Sequence, residues 1–187
     1  MADKLIFVTT NKHKFTEIRE VLKEFNVEIE QLDMEYEENH ELGDVEGIAG
    51  ASAKALSGRI SKAFFLEDTG LYFEAFDNFP GVFPKFIMKT IGYEGIFRLL
   101  EGKNRNAFFK AAVAFCEHGK EPVVFTGILK GRISEKVDNP DMDCFFYDRI
   151  FIPEGYDKTL SSILDKKNEF SHRAKAVREL AKHLKKS

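Results

Sequence analysis

The sequence of 187 residues contains no tryptophan and only two cysteines, Cys116 and Cys144. Two thiols support neither a disulfide framework nor a four-ligand zinc site. It also has no apolar run approaching the roughly 18 residues needed to span a bilayer. The opening MADKLIFVTTNKHK is too short in apolar residues for a signal peptide. A cytoplasmic protein without a membrane partner is therefore expected. Excess positive charge is missing too: the formal net charge is −3, with Lys and Arg scattered along the chain. That leaves no basic stripe for nucleic acid, although a few local cations suffice for a phosphorylated small molecule. Repeats, low-complexity tracts and linkers are absent, so residues 1–187 read as a single domain.

What the chain does have is phenylalanine. Nineteen of them supply large rings for a core, and rings that can stack on a flat ligand. Leu5 to Val8 reads as a short buried strand leading into a helix with Phe15, Ile18, Leu22 and Phe25 on one face. Val27 to Leu32 alternates like a second strand. Asp33 to Glu46 is acidic and loop-like, and Ile48 to Ser57 is Ala-rich and helical. Ala63 to Leu66 reads as a strand that stops at an acidic turn, Glu67-Asp68-Thr69-Gly70. Phe79 to Val82 carries strong breakers and reads as a loop, followed by a helix through Ile96, Leu99 and Leu100. Ala107 to Glu117 and Val123 to Ser134 form an expected antiparallel hairpin. A last helix starts at Ser171, a good N-cap, with Ala174, Val177, Ala181 and Leu184 on one face. Early alternation and late local pairing predict a mixed α/β sheet.

Four segments can carry chemistry. Thr9-Thr10-Asn11-Lys12-His13-Lys14 places a strand-to-helix turn where free N–H groups and the helix dipole attract an anion. It lacks the P-loop pattern, and a capped helix with solvated lysines explains it equally well. The acidic turn at Glu67 to Gly70 offers hard oxygens that suit Mg²⁺, yet adjacent carboxylates on a strand point to opposite faces unless Gly70 provides a turn. Ser171-His172-Arg173 puts a planar donor fork at a helix start. Cys144-Phe145-Phe146-Tyr147-Asp148-Arg149 combines stacking rings with an acceptor, as core packing also would.

Together and in order, these segments resemble the inosine triphosphate pyrophosphatase family, whose members hydrolyse non-standard purine triphosphates such as ITP, dITP and XTP. Thr9-Thr10-Asn11 with Lys14 is similar to the family's T-G-N-x-x-K opening. Glu67 to Leu71 followed by Phe79-Pro80-Gly81-Val82 resembles its E-D-(S/T)-x-L…P-G block. Lys167-Asn168 with Ser171-His172-Arg173 matches its K-N-x-x-S-H-R ending. The resemblance implies an elongated mixed β-sheet with helices forming two lobes around a central nucleotide-binding cleft, usually in a homodimer. It also implies Mg²⁺-dependent hydrolysis to the monophosphate and pyrophosphate.

By the same resemblance, Asp68 is the general base or a metal ligand, with Glu67 assisting. Thr9, Thr10, Asn11, Lys14, Lys54 and Thr69 hold phosphates. Phe145, Tyr147, Asp148, Lys167, His172 and Arg173 form the base pocket. Glu38 joins Asp68 on the metal, with Glu35 and Glu41 as alternatives in a loose register. His172 and Arg173 as donors would favour a 6-oxo purine over adenine. The chain departs from the family's G-F-G-(Y/W)-D-P at Phe146, which is expected to add bulk beside the pocket, and at Arg149. Thr10 replaces a glycine, and Phe83-Pro84-Lys85-Phe86 is nearer the eukaryotic I-K-W-F form than the bacterial S-A-R-Y. A binder without turnover and a pyrophosphatase preferring pyrimidines remain competing readings.

Overall fold

Four consecutive buried residues form strand β1 (Leu5–Val8), covered on both faces. The computed structural model describes residues 4–77 and 79–186, so Met1, Ala2 and Asp3 of the opening run lie outside the described residues. β1 pairs in parallel with β2 (Ile29–Leu32) and β3 (Phe64–Phe73). Between β1 and β2 runs α1 (Lys12–Lys23), capped by Asn11, whose side chain accepts the Lys14 amide at 3.1 Å. Its buried face is Ile18, Val21 and Leu22. The helix stops short of Phe25, and Asn26 follows with φ at 59°.

The acidic stretch is irregular apart from one turn at His40–Leu42. α2 (Val45–Ser57) begins before Ile48, because Asp44 accepts the Gly47 amide at 2.7 Å and caps the helix there.

The predicted acidic turn does not exist. β3 runs through Glu67-Asp68-Thr69-Gly70 without interruption, held by antiparallel pairing with β5 (Asn106–Cys116) along its whole length, Phe64↔Cys116 to Phe73↔Ala107. Gly70 has another use. A Cβ there would lie 2.6 Å from the Tyr72 hydroxyl, so its missing side chain makes room for the Tyr72 ring.

The hairpin appears as expected, β5 pairing with β6 (Val123–Ile133). Pro80–Gly81 is a two-residue strand, β4, against β3. β7 (Phe151–Pro153) closes a seven-stranded sheet of order β2-β1-β3-β5-β6-β7, with β4 off this path. α3 (Pro84–Leu99) breaks at Gly92, and α4 (Leu164–Phe170) immediately precedes α5 (His172–Leu184). Ser171 caps α5 by accepting the Ala174 amide at 3.1 Å. A Cβ on Gly127 would sit 2.1 Å from the His172 carbonyl oxygen, so α5 lies directly on β6.

Alternation along β3 sorts its neighbours. Phe65 meets α1 and α5 on one face, while Phe64 and Leu66 meet α2 on the other. Phe7 stacks on Phe65 with centroids 4.6 Å apart. A second core gathers Leu71, Phe73, Phe109 and Phe151 with α3, forming the other lobe. Among the described residues no helix is long and apolar enough to cross a membrane.

Candidate active site

The site lies at a notch in the sheet. On one side β3 meets β1 through Phe64 and Phe65, then β4 through Leu71 and Tyr72. Between those contacts, among the described residues, it has no strand partner on that side. The backbone is free there, and the Glu67 carbonyl accepts from Lys14 Nζ at 2.9 Å. Beside this notch Glu67 and Asp68 face opposite sides of the sheet, as adjacent strand residues do.

Glu67 is fully buried among cations. Its Oε2 lies 2.8 Å from Lys14 Nζ and its Oε1 3.2 Å from Arg173 Nε. The Thr69 hydroxyl also donates to Oε1. Burial alone would raise its pKa, but Arg173, Lys14 and these hydrogen bonds bring it down to about 2. It is therefore a fixed counter-ion rather than a proton acceptor.

Behind it, Arg173 donates to Glu17 Oε2 at 2.5 Å and to the Thr69 hydroxyl at 3.4 Å. Lys167 Nζ sits between Glu17 Oε1 and Asp148 Oδ2, 2.7 Å from each. Glu17 thus ties both cations together. Sequence reasoning passed over it, although it lies three positions after Lys14 on α1, where side chains share a face.

The Phe145 ring faces the same cations, with Lys167 Nζ at 4.7 Å and Arg173 Cζ at 4.8 Å from its centroid. A cleft of about 360 Å³ opens here, lined by His13, Glu17, Cys144, Phe145, Asp148 and Lys167. A larger hollow of about 550 Å³ beside Phe97, Arg105 and Glu135 contains none of the predicted site residues. His172 stacks on Phe109 at 4.7 Å, and neither of its buried ring nitrogens has a partner. Burial, reinforced by Arg173 and Lys167, pushes its pKa well below the usual value, so the ring is neutral. A neutral imidazole offers one donor and one acceptor.

Asp68 faces the α2 side. Its Oδ1 accepts the Thr69 amide at 2.8 Å, and its buried Oδ2 has no partner. Burial raises its pKa to about 6; Lys14 opposes the rise, and the charges of Glu38 and Glu67 add to it. Of the three candidate loop glutamates, Glu38 is the one whose charge acts on Asp68 in this way. An unpartnered carboxylate oxygen with a second carboxylate nearby fits a hard cation. Among the described residues no three ligating groups converge, so phosphate oxygens and water would complete such a shell.

The Ham1 family's model matches residues 5–183. The dITP/XTP pyrophosphatase of Thermococcus kodakarensis is 41% identical over 184 residues, covering 97% of each chain. That of Methanopyrus kandleri is 39% identical over 180 residues, 95% of this chain and 94% of its own. The chain belongs to the Ham1 family. A solved Ham1 protein from Coxiella burnetii shares the fold, with a TM-score of 0.79 at 21% identity over 98% of this chain and 99% of its own. A solved nucleoside-triphosphatase / dITP/XTP pyrophosphatase from Mycobacterium abscessus gives 0.70 at 28% identity, over 95% and 98%.

The fold brings only some of the predicted residues together. Lys14, Glu67, Thr69, Asp148, Lys167, His172, Arg173 and Phe145 converge, with Asp68 on the opposite face of the strand. Thr9, Thr10 and Asn11 form the turn leading into α1, where the Thr9 hydroxyl accepts the Asn11 amide at 3.1 Å. Lys54 is not brought to this site. It points outward from α2 and pairs with Glu121 at 3.1 Å, while Ser52 on the inner face donates to the Glu37 carbonyl at 3.1 Å. Tyr147 belongs to the second core, its hydroxyl donating to the Pro84 carbonyl at 2.8 Å. Phe146 is 53% exposed and adds no bulk to the cleft, contrary to expectation.

Proposed function

We propose that this Ham1-family enzyme hydrolyses non-standard purine nucleoside triphosphates, ITP, dITP and XTP, to the monophosphate and pyrophosphate. The observation that carries the reading is Asp68, a carboxyl with one unpartnered oxygen beside a fixed cluster of cations. Full-length relatives named dITP/XTP pyrophosphatases support it.

Water adds across the α–β anhydride bond, which breaks to release pyrophosphate. Asp68, with Glu38, would hold Mg²⁺, or Asp68 alone would take the proton from the attacking water. When bound, the metal supplies charge neutralisation on the phosphates. Lys14 and the Thr10 amide bind phosphate oxygens, since the Thr9 and Asn11 amides already donate to the Leu32 carbonyl and the Thr9 hydroxyl. Phe145 stacks on the base. His172 donates to a 6-oxo group, and an adenine amino group facing it leaves that donor unpaired, which can cost a large factor in turnover. Arg173 positions the site through Glu67, Glu17 and Thr69, since three of its N–H groups are already committed. The resemblance further supports a cytoplasmic homodimer, to be checked by light scattering.

The test is phosphate release, coupled to inorganic pyrophosphatase, from ITP, XTP, dITP, ATP, GTP and UTP with Mg²⁺. Turnover of the first three well above the rest is expected. Equal or absent turnover across the panel refutes the reading, and a preference for UTP shifts it to pyrimidines. The alternative of a blocked pocket loses its basis, because Phe146 faces solvent and Arg149 is tied to Tyr93 and Met142.

A further inference from the structure

The segment that carries Phe145 and Asp148 is fastened to α3. Gly92 breaks that helix with φ at 62° and ψ at −168°, and Tyr93 follows the break. The Tyr93 hydroxyl donates to the Phe146 carbonyl at 2.9 Å. Its oxygen accepts from Arg149 Nη1 at 3.2 Å, and Arg149 Nη2 donates to the Met142 carbonyl at 2.5 Å. One phenol and one guanidinium therefore fix residues 142, 146 and 149 together. Tyr147 adds an anchor to the start of the same helix through its bond to the Pro84 carbonyl.

These contacts sit where the chain departs from the family pattern. A proline at 149 would fix φ covalently. Here the φ of an ordinary residue is free, and the restraint comes from hydrogen bonds contributed by α3 within the same lobe. Phe145 and Asp148 line the cleft, and neither Tyr93 nor Arg149 does.

We propose that Tyr93 and Arg149 are positioning residues that latch the Phe145–Asp148 loop to α3 and so set affinity for the nucleobase without touching it. The inference rests on reading the cleft as a nucleobase site. A loosened loop must be ordered again on each binding event, which raises the ligand concentration needed and leaves the phosphate end alone.

Tyr93→Phe keeps the ring and removes the hydroxyl. It is expected to weaken binding of inosine monophosphate roughly tenfold, the size of one lost hydrogen bond. KM for ITP rises by a similar factor, kcat changes less than about twofold, and inhibition by pyrophosphate is unchanged. Arg149→Gln acts in the same direction and Arg149→Lys less. The double variant Tyr93→Phe/Arg149→Gln loses less affinity than the product of the single losses predicts, because both break a shared bond. In ligand-free enzyme, amide hydrogen exchange at residues 145–149 accelerates in Tyr93→Phe. Equal losses of inosine monophosphate and pyrophosphate affinity, a fall confined to kcat, or unchanged exchange would overturn the latch. If the wild-type protein binds no inosine monophosphate and turns over no triphosphate, the nucleobase reading fails, and the exchange experiment still decides whether the loop is latched.

Discussion

Replacing Asp68 by Asn should stabilise the metal-free protein while abolishing turnover, because the native carboxyl is held in surroundings that disfavour its charge. Its pKa rises from the ordinary 3.8 to about 6, chiefly through burial. At about 1.4 kcal/mol per pH unit, that corresponds to roughly 3 kcal/mol of unfavourable free energy once the group is ionised. Solvent reaching the partly exposed side chain lowers the figure, so a gain on the order of 2 kcal/mol is expected at pH 8. The sign runs opposite to that of a salt-bridged carboxylate. Between the unfolded and folded pKa values the folded state binds the extra proton, so wild-type stability falls as pH rises through about 6. Near pH 4 the folded carboxyl is protonated, and the two proteins should differ little. Asn still accepts the Thr69 amide, so the one hydrogen bond at Oδ1 survives. Urea denaturation in EDTA at pH 4, 6 and 8 reads the difference directly. Saturating Mg²⁺ should then stabilise the wild type at pH 8 and leave Asp68→Asn nearly unaffected. A variant that is less stable at pH 8, or a difference independent of pH, refutes the argument.

Glu67 should behave in the reverse sense. Its pKa of about 2 contributes stability above its unfolded value that is lost as pH falls toward 2, so Glu67→Gln should flatten the acid limb of the stability curve followed by circular dichroism. Glu17→Gln leaves Lys167 and Arg173 short of a buried counter-charge; a loss of roughly 3 kcal/mol is expected in urea, together with reduced activity. Gly70→Ala drives a methyl into the Tyr72 ring and should cost about 1–3 kcal/mol, with much of it recovered in Gly70→Ala/Tyr72→Leu.

Much of the fold was legible in local patterns. The apolar run at Leu5 to Val8, the Asn11 and Ser171 caps and the hairpin all carry their signals within a few residues. β3 does not read as a strand at its centre, because Glu, Asp and Gly have low strand propensity and only the long pairing with β5 overrides that preference. Helix periodicity alone takes Lys54 off the inner face of α2. The inward stripe of α2 runs Ile48, Ala49, Ser52, Ala53 and Leu56, and Lys54 falls off it. Lys14, Lys167, His172 and Arg173 were found through motifs whose spacing is local. Glu17 was detectable only by asking what shares a helix face with Lys14. The ties between Tyr93 and Phe146 and between Tyr93 and Arg149 cross more than fifty positions, and no pattern along the chain announces them.

The passage of β3 through Glu67 and Asp68 makes strand register decide which carboxyl carries charge. Two neighbouring carboxylates differ by one methylene, yet one is held ionised and paired while the other is neutralised near pH 6 with an oxygen left open. That difference comes from which face of the sheet each one meets. A slip of one residue between β3 and β5 would turn each to the other face: as the aspartate moved into the glutamate's place among the arginine and lysine, the glutamate would be driven into the apolar position that Leu66 fills. The ladder of backbone hydrogen bonds along those two strands therefore protects a chemical assignment as well as a shape.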